Sequence, residues 1–147
     1  MQLAVKLKRL SDKAVVPKYA NPGDAGMDLT AISEELITDR EMRTLCYGTG
    51  LSVDIPEGYV GLIFPRSSVT TKTTLALGNA VGVIDSQYRG EIKVQFREQA
   101  RLTGKKYNVG DRVAQLIILP YPEVEFIEVT SLNETVRGNG GFGSSGT

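Results

Sequence analysis

Short runs of alternating apolar and polar residues, broken by glycine and proline, dominate the chain. In "LAVKLKRL", Leu3, Val5 and Leu7 share one face, with Lys6 and Lys8 on the other. In "EIKVQFRE", Ile92, Val94 and Phe96 oppose Lys93, Gln95 and Arg97. Successive side chains alternate faces along a strand, so this periodicity predicts half-buried antiparallel strands. The stretches "GYVGLIF", "RVAQLIILP" and "VEFIEV" read as further strands, and "IPEG", "NVGD" and "LTGKK" as turns between them. No segment holds a helical apolar stripe for several turns, and "ISEELITDREM" is too short and broken for one. Many short strands at regular spacing predict an all-β sandwich or barrel. The organisation is a single β domain over residues 1–136, followed by a glycine-rich tail at 137–147. That tail, "RGNGGFGSSGT", has one large apolar residue, Phe142. It cannot bury enough surface to offset its own ordering entropy, so it folds only against something else.

Composition narrows the chemistry by what is missing. The 147 residues carry 17 basic and 17 acidic side chains, for a net charge of zero. This balance argues against a nucleic-acid or membrane-surface partner. No apolar run approaches the ~20 residues of a membrane helix. The alternating "MQLAVKLKRL" lacks the unbroken apolar stretch of a secretion signal, which predicts a protein kept inside the cell, cytoplasmic rather than secreted. There is no histidine and a single cysteine, Cys46, which reads as a small buried apolar residue. Cys/His zinc sites and histidine-dependent nucleophile triads are therefore excluded. An enzyme built from these residues uses a carboxylate base, and any metal is a hard ion with oxygen ligands.

Four stretches offer such chemistry. In "GNAVGVIDSQYRGEIKV", Asp85 follows an apolar run and precedes a polar turn holding Tyr88 and Gly90. A carboxylate at that junction can be partly desolvated, which suits a general base. The plain alternative is a turn aspartate bonded to its own backbone. In "FPRSSVTTK", Arg66, Ser67 and Ser68 follow a strand, a grouping that receives phosphate or simply forms a polar surface loop. It contains no P-loop motif. "DAGMDLTA" sets Asp24 and Asp28 around Gly26, and "YNVGDRVAQL" sets Gln115 among apolar neighbours. Each is also compatible with an ordinary turn or a solvent-facing strand position.

Taken together and in order, "DAGMDLTA", "PRSS", "GNAVGVIDSQYRG", "GDRVAQL" and "RGNGGFGSSGT" resemble the five motifs of the trimeric dUTPase family. The resemblance runs from about Asp24 to the last residue. It implies a jelly-roll-like β-sandwich assembled as a homotrimer, with active sites at subunit interfaces. It also implies hydrolysis of dUTP to dUMP and pyrophosphate, limiting uracil incorporation into DNA and supplying dUMP for dTMP synthesis. By this resemblance Asp85 is the base that deprotonates the water attacking the α-phosphorus. Tyr88 packs on the deoxyribose and excludes a 2′-hydroxyl. Asn79 and the backbone of Val83, Ile84 and Asp85 read the uracil edge, and Lys93 approaches the nucleotide. Arg66, Ser67, Ser68 and Gln115 bind phosphate oxygens. Mg²⁺ rides on those phosphates with no direct protein ligand, and Asp28 meets it through water. The flexible tail closes over the site, with Phe142 stacked on uracil and Arg137, Gly143, Ser144 and Ser145 near the phosphates. One departure is the pair Ser144–Ser145, where many members carry Ser-Thr; both side chains can donate to phosphate.

Two other readings share the strand pattern. A dCTP deaminase has the same fold, but it uses a glutamate on the strand after the third motif, where this chain has Gln95. A non-catalytic β-sandwich interaction module would need none of Asp85, Tyr88 or Phe142 in these contexts.

Overall fold

The computed structural model describes residues 3–39, 42–98 and 104–141. Its ten strands are β1 (Lys6–Arg9), β2 (Met27–Thr30), β3 (Ser33–Asp39), β4 (Met42–Gly48), β5 (Leu51–Asp54), β6 (Tyr59–Pro65), β7 (Leu75–Leu77), β8 (Gly82–Ile84), β9 (Lys93–Glu98) and β10 (Arg112–Pro120). One helical turn, α1 (Val69–Lys72), follows β6. All strand pairs are antiparallel. One four-stranded sheet runs β2-β10-β6-β8, a second runs β3-β4-β9-β7, and β1 pairs with β5.

The alternation in β9 is carried through in full. Ile92, just before the strand, and Val94 and Phe96 within it are buried, while Lys93, Gln95 and Arg97 are exposed. The core draws on both large sheets: Leu29, Ile63, Val113 and Leu116 from the first, Leu45, Tyr47, Leu75, Val94 and Phe96 from the second. Two sheets that bury their inner faces against each other make a β-sandwich. At its centre Tyr47, Phe96 and Tyr107 pack with ring centroids 5.7–6.2 Å apart, in edge-on and tilted arrangements. The Tyr47 hydroxyl donates to the Tyr107 carbonyl at 3.0 Å, and burial pushes both phenols to higher pKa. Cys46 is buried, as its apolar character predicts, and desolvation raises its thiol pKa.

The structure corrects one strand expectation and adds a hairpin that the sequence reading did not propose. "VEFIEV" forms no strand among the described residues: Phe126 is 94% and Ile127 81% exposed. Alternation makes a strand only where a neighbouring edge accepts its backbone, and the chain itself supplies none there. The β3–β4 hairpin, conversely, forms from "SEELITD", whose paired acids and paired apolar residues hide the strand period. Among the described residues no helix is long and apolar enough to cross a membrane.

Candidate active site

The third motif builds a cleft of ≈ 620 Å³. Its walls include Asn79, Val83, Ile84, Asp85, Tyr88 and Lys93, six of the expected site residues, together with Glu91 and Gln95. Local geometry explains their convergence. After β7 the chain reverses through a tight turn in which the Val81 N–H donates to the Asn79 carbonyl at 2.6 Å. Ala80 sits there at φ 60°, a left-handed conformation that costs a residue with a Cβ about 1 kcal/mol or more. The turn presents Asn79 at the mouth and sends the chain into β8. β8 pairs with β6 on one side only, so it is a sheet edge. Edge strands carry unpaired N–H and C=O groups, and this edge borders the cleft.

Beyond β8, the Tyr88 N–H donates to the Asp85 carbonyl at 3.1 Å, closing a turn. Asp85 lines the cleft and is exposed, so the described residues do not provide the expected desolvation. Arg89 braces the loop by donating to the carbonyls of Ser86 at 2.6 Å and Tyr88 at 3.1 Å, and to Asp54 Oδ1 at 2.5 Å. The Ser52 hydroxyl donates to the Arg89 carbonyl at 2.8 Å, fixing the loop to β5.

A second group assembles at the other end of β6. Asp28, with a side chain only 12% exposed, accepts from Arg66 Nε at 3.1 Å and from Arg112 Nη1 at 2.8 Å. Register brings these residues together. Gln115 on β10 lies opposite Asp28 on β2 and opposite Phe64 on β6. Arg66 stands two residues past Phe64, on the same face by alternation. Arg112 shares that face because of an irregularity: the β10–β2 register shifts between Arg112 and Ala114. A bulge of this kind lets Val113 and Ala114 both point into the core while Arg112 turns to Asp28. Gln115 lies tightly over Gly26, where an added Cβ would sit 3.2 Å from Gln115 Cβ. Ser67 is exposed and Ser68 half-buried at the start of α1, with no side-chain cap bond. Arg112 was not among the sequence-derived site residues; its place in "GDRVAQL", three residues before Gln115, was the available signal.

Neither group contains the described part of the tail, residues 137–141. Arg137 is exposed, and its Nε donates to the Gly140 carbonyl at 2.9 Å. Phe142, Gly143, Ser144 and Ser145 lie outside the described residues. Among the described residues no cluster of three or more acidic or cysteine side chains is arranged to hold a metal. Both Asp28 oxygens are already engaged by arginine.

A dUTPase family model matches residues 12–146. The chain is 45% identical over 144 residues to the deoxyuridine 5'-triphosphate nucleotidohydrolase of Rhodococcus erythropolis, covering 98% of this chain and 87% of that protein. It is 43% identical over 149 residues to the enzyme of the same name from Alcanivorax borkumensis, covering 99% and 97%. Among solved structures, the Staphylococcus bacteriophage 80alpha dUTPase with dUPNHPP superposes with a TM-score of 0.85 at 28% identity, covering 99% of this chain and 100% of that one. A mutant dUTPase from S. aureus phage phi11, described with a coordinated structural Mg(II) ion, gives 0.74 at 27% identity over 90% and 100%.

Proposed function

The chain belongs to the dUTPase family, and on that premise we propose that it hydrolyses dUTP to dUMP and pyrophosphate inside the cell. The observation that carries this reading is the grouping of Asn79, the open edge of β8, Asp85 and Tyr88 around one cleft. Uracil pairs its edge with Asn79 and the free backbone groups of Val83 to Asp85. Tyr88 meets the deoxyribose, and Lys93 lies on the same wall. Asp85 accepts a proton from a water as the water oxygen attacks the α-phosphorus in line. The bond from that phosphorus to the bridging oxygen breaks, and pyrophosphate leaves.

The phosphates need donors fixed before charge develops. Arg66, Ser67, Ser68 and Gln115 supply them. Asp28 holds Arg66 Nε, and the Arg112 carbonyl accepts from Arg66 Nη1 at 3.3 Å, which aims the remaining guanidinium edge outward. A bound Mg²⁺ would supply charge neutralisation on the triphosphate, and Asp28 would meet it through water. The tail completes enclosure, with Phe142 over the base and Arg137, Gly143, Ser144 and Ser145 at the phosphates.

One chain does not bring these parts together. Asp85 follows Ile84, which pairs with Gly61, whereas Arg66 follows Pro65, which pairs with Ala114. The separation along β6 is six residues, roughly 20 Å at the rise of a strand. A triphosphate held at Asp85 cannot also lie on the same chain's Arg66. A homotrimer that sets the cleft of one copy against the arginine group of another resolves this, and a closed cyclic arrangement makes each such site equivalent.

The test is product analysis. Incubation with dUTP is expected to yield dUMP and pyrophosphate, and incubation with dCTP no ammonia. Ammonia from dCTP without pyrophosphate from dUTP would replace this reading with a deaminase.

A further inference from the structure

We propose that Gly90 sets the discrimination between deoxyribose and ribose by giving the Tyr88 ring a fixed seat; this rests on the reading that Tyr88 meets the sugar. The ring folds back onto the backbone two residues ahead of it. A Cβ built at Gly90 would lie 2.4 Å from Tyr88 Oη, 2.6 Å from Cζ and 3.0 Å from Cε2. Gly90 is not in the left-handed region, so its backbone suits any residue and only the ring demands glycine. The Tyr88 hydroxyl donates to the Glu91 carbonyl at 2.9 Å and pins the far end of the ring. Tyr88 is 43% exposed, so little else holds it in place.

Exclusion of one hydroxyl by bulk works only if the wall cannot swing. A tyrosine on an open loop turns readily about χ1. Seat and latch together remove that freedom. The loop backbone is braced separately, by Arg89 to Ser86, Tyr88 and Asp54 and by Ser52 to Arg89. A methyl group at position 90 therefore pushes the exposed ring off its seat and leaves the loop in place. Gly90 is a positioning residue: it acts on the sugar through Tyr88.

The experiment measures kcat/KM for dUTP and UTP in the full-length protein, its Gly90→Ala, Tyr88→Ala and Tyr88→Phe variants, and the double variant Tyr88→Ala/Gly90→Ala. Gly90→Ala is expected to raise the UTP-to-dUTP ratio roughly tenfold or more, the effect of overpacking on a movable group. Tyr88→Phe loses only the latch and is expected to raise the ratio by roughly 2- to 10-fold. In the Tyr88→Ala background, adding Gly90→Ala is expected to change the ratio by less than about twofold, because no ring remains to displace. A merely structural glycine would lower both activities together and leave the ratio alone, overturning the proposal. An equal shift with and without the ring would overturn it too. An unchanged ratio in Tyr88→Ala would instead remove Tyr88 from the sugar, and the parent reading would fall with the inference.

Discussion

The two ends of β6 are built on different principles. At the Asp85 end, one continuous stretch folds on itself: a strained turn at Ala80, an edge strand and a braced loop give a formed cleft. At the Arg66 end, residues from three strands and a loop meet through register alone, and two guanidinium groups share one carboxylate. Asp85 lies in the cleft, whereas the two guanidinium groups lie toward the far end of β6. The proposed function therefore joins the two ends across copies of the chain.

The largest expected effects silence either end alone. Asp85→Asn keeps the shape of the cleft and removes the proton acceptor, so dUTP binding should survive while turnover falls about 10²- to 10⁴-fold. Unchanged turnover would remove Asp85 as the base. Arg66→Ala should cost about 10²- to 10³-fold, read in kcat. It should also loosen Asp28, which is left with Arg112. Truncation after Val136 keeps every named residue of the cleft and the arginine group, and assembly measured by sedimentation should persist. Loss of the base–aromatic stack alone should lower kcat/KM by roughly 10- to 100-fold. Full activity in the truncated chain would refute closure by the tail.

How far the sequence foretold each end follows from the same contrast. The cleft was legible because its residues other than Ile63 lie between positions 79 and 95, where spacing and turn chemistry are local. Asp28, Arg66 and Gln115 were legible only as members of ordered motifs. Arg112 was missed because its face depends on a register shift that no alternation pattern encodes. The exposure of Asp85 was also missed: an apolar run before an acid predicts burial, but β8 is a sheet edge. "VEFIEV" teaches the same lesson, since a strand pattern needs an edge to pair with. Leu36 and Ile37 show the reverse, a strand with no alternation, half exposed on β3.

A smaller effect separates the ends by pH. Tyr107 is buried near Ser68 and Arg66, and burial raises its phenol pKa, as it does for Tyr47. The folded state then holds these protons more tightly than the unfolded state. The stability they contribute is complete below about pH 10, the unfolded value, and is lost as pH rises toward the folded ones. The unfolding free energy from urea titrations should fall above about pH 10, by up to roughly 1.4 kcal/mol per pH unit for each phenol. Tyr107→Phe should flatten that slope. The absence of any slope would mean that burial raises neither phenol.

The joining of the two ends is tested most directly by mixing subunits. Asp85→Asn and Arg66→Ala proteins, each nearly inactive, are unfolded together, refolded and assayed for dUTP hydrolysis. If a site takes its base from one copy and its arginine from another, roughly a quarter of the sites in random oligomers hold both intact residues, and activity returns. Activity no greater than the sum of the separate variants, in oligomers shown to be mixed, would mean that each chain works alone and would contradict the account.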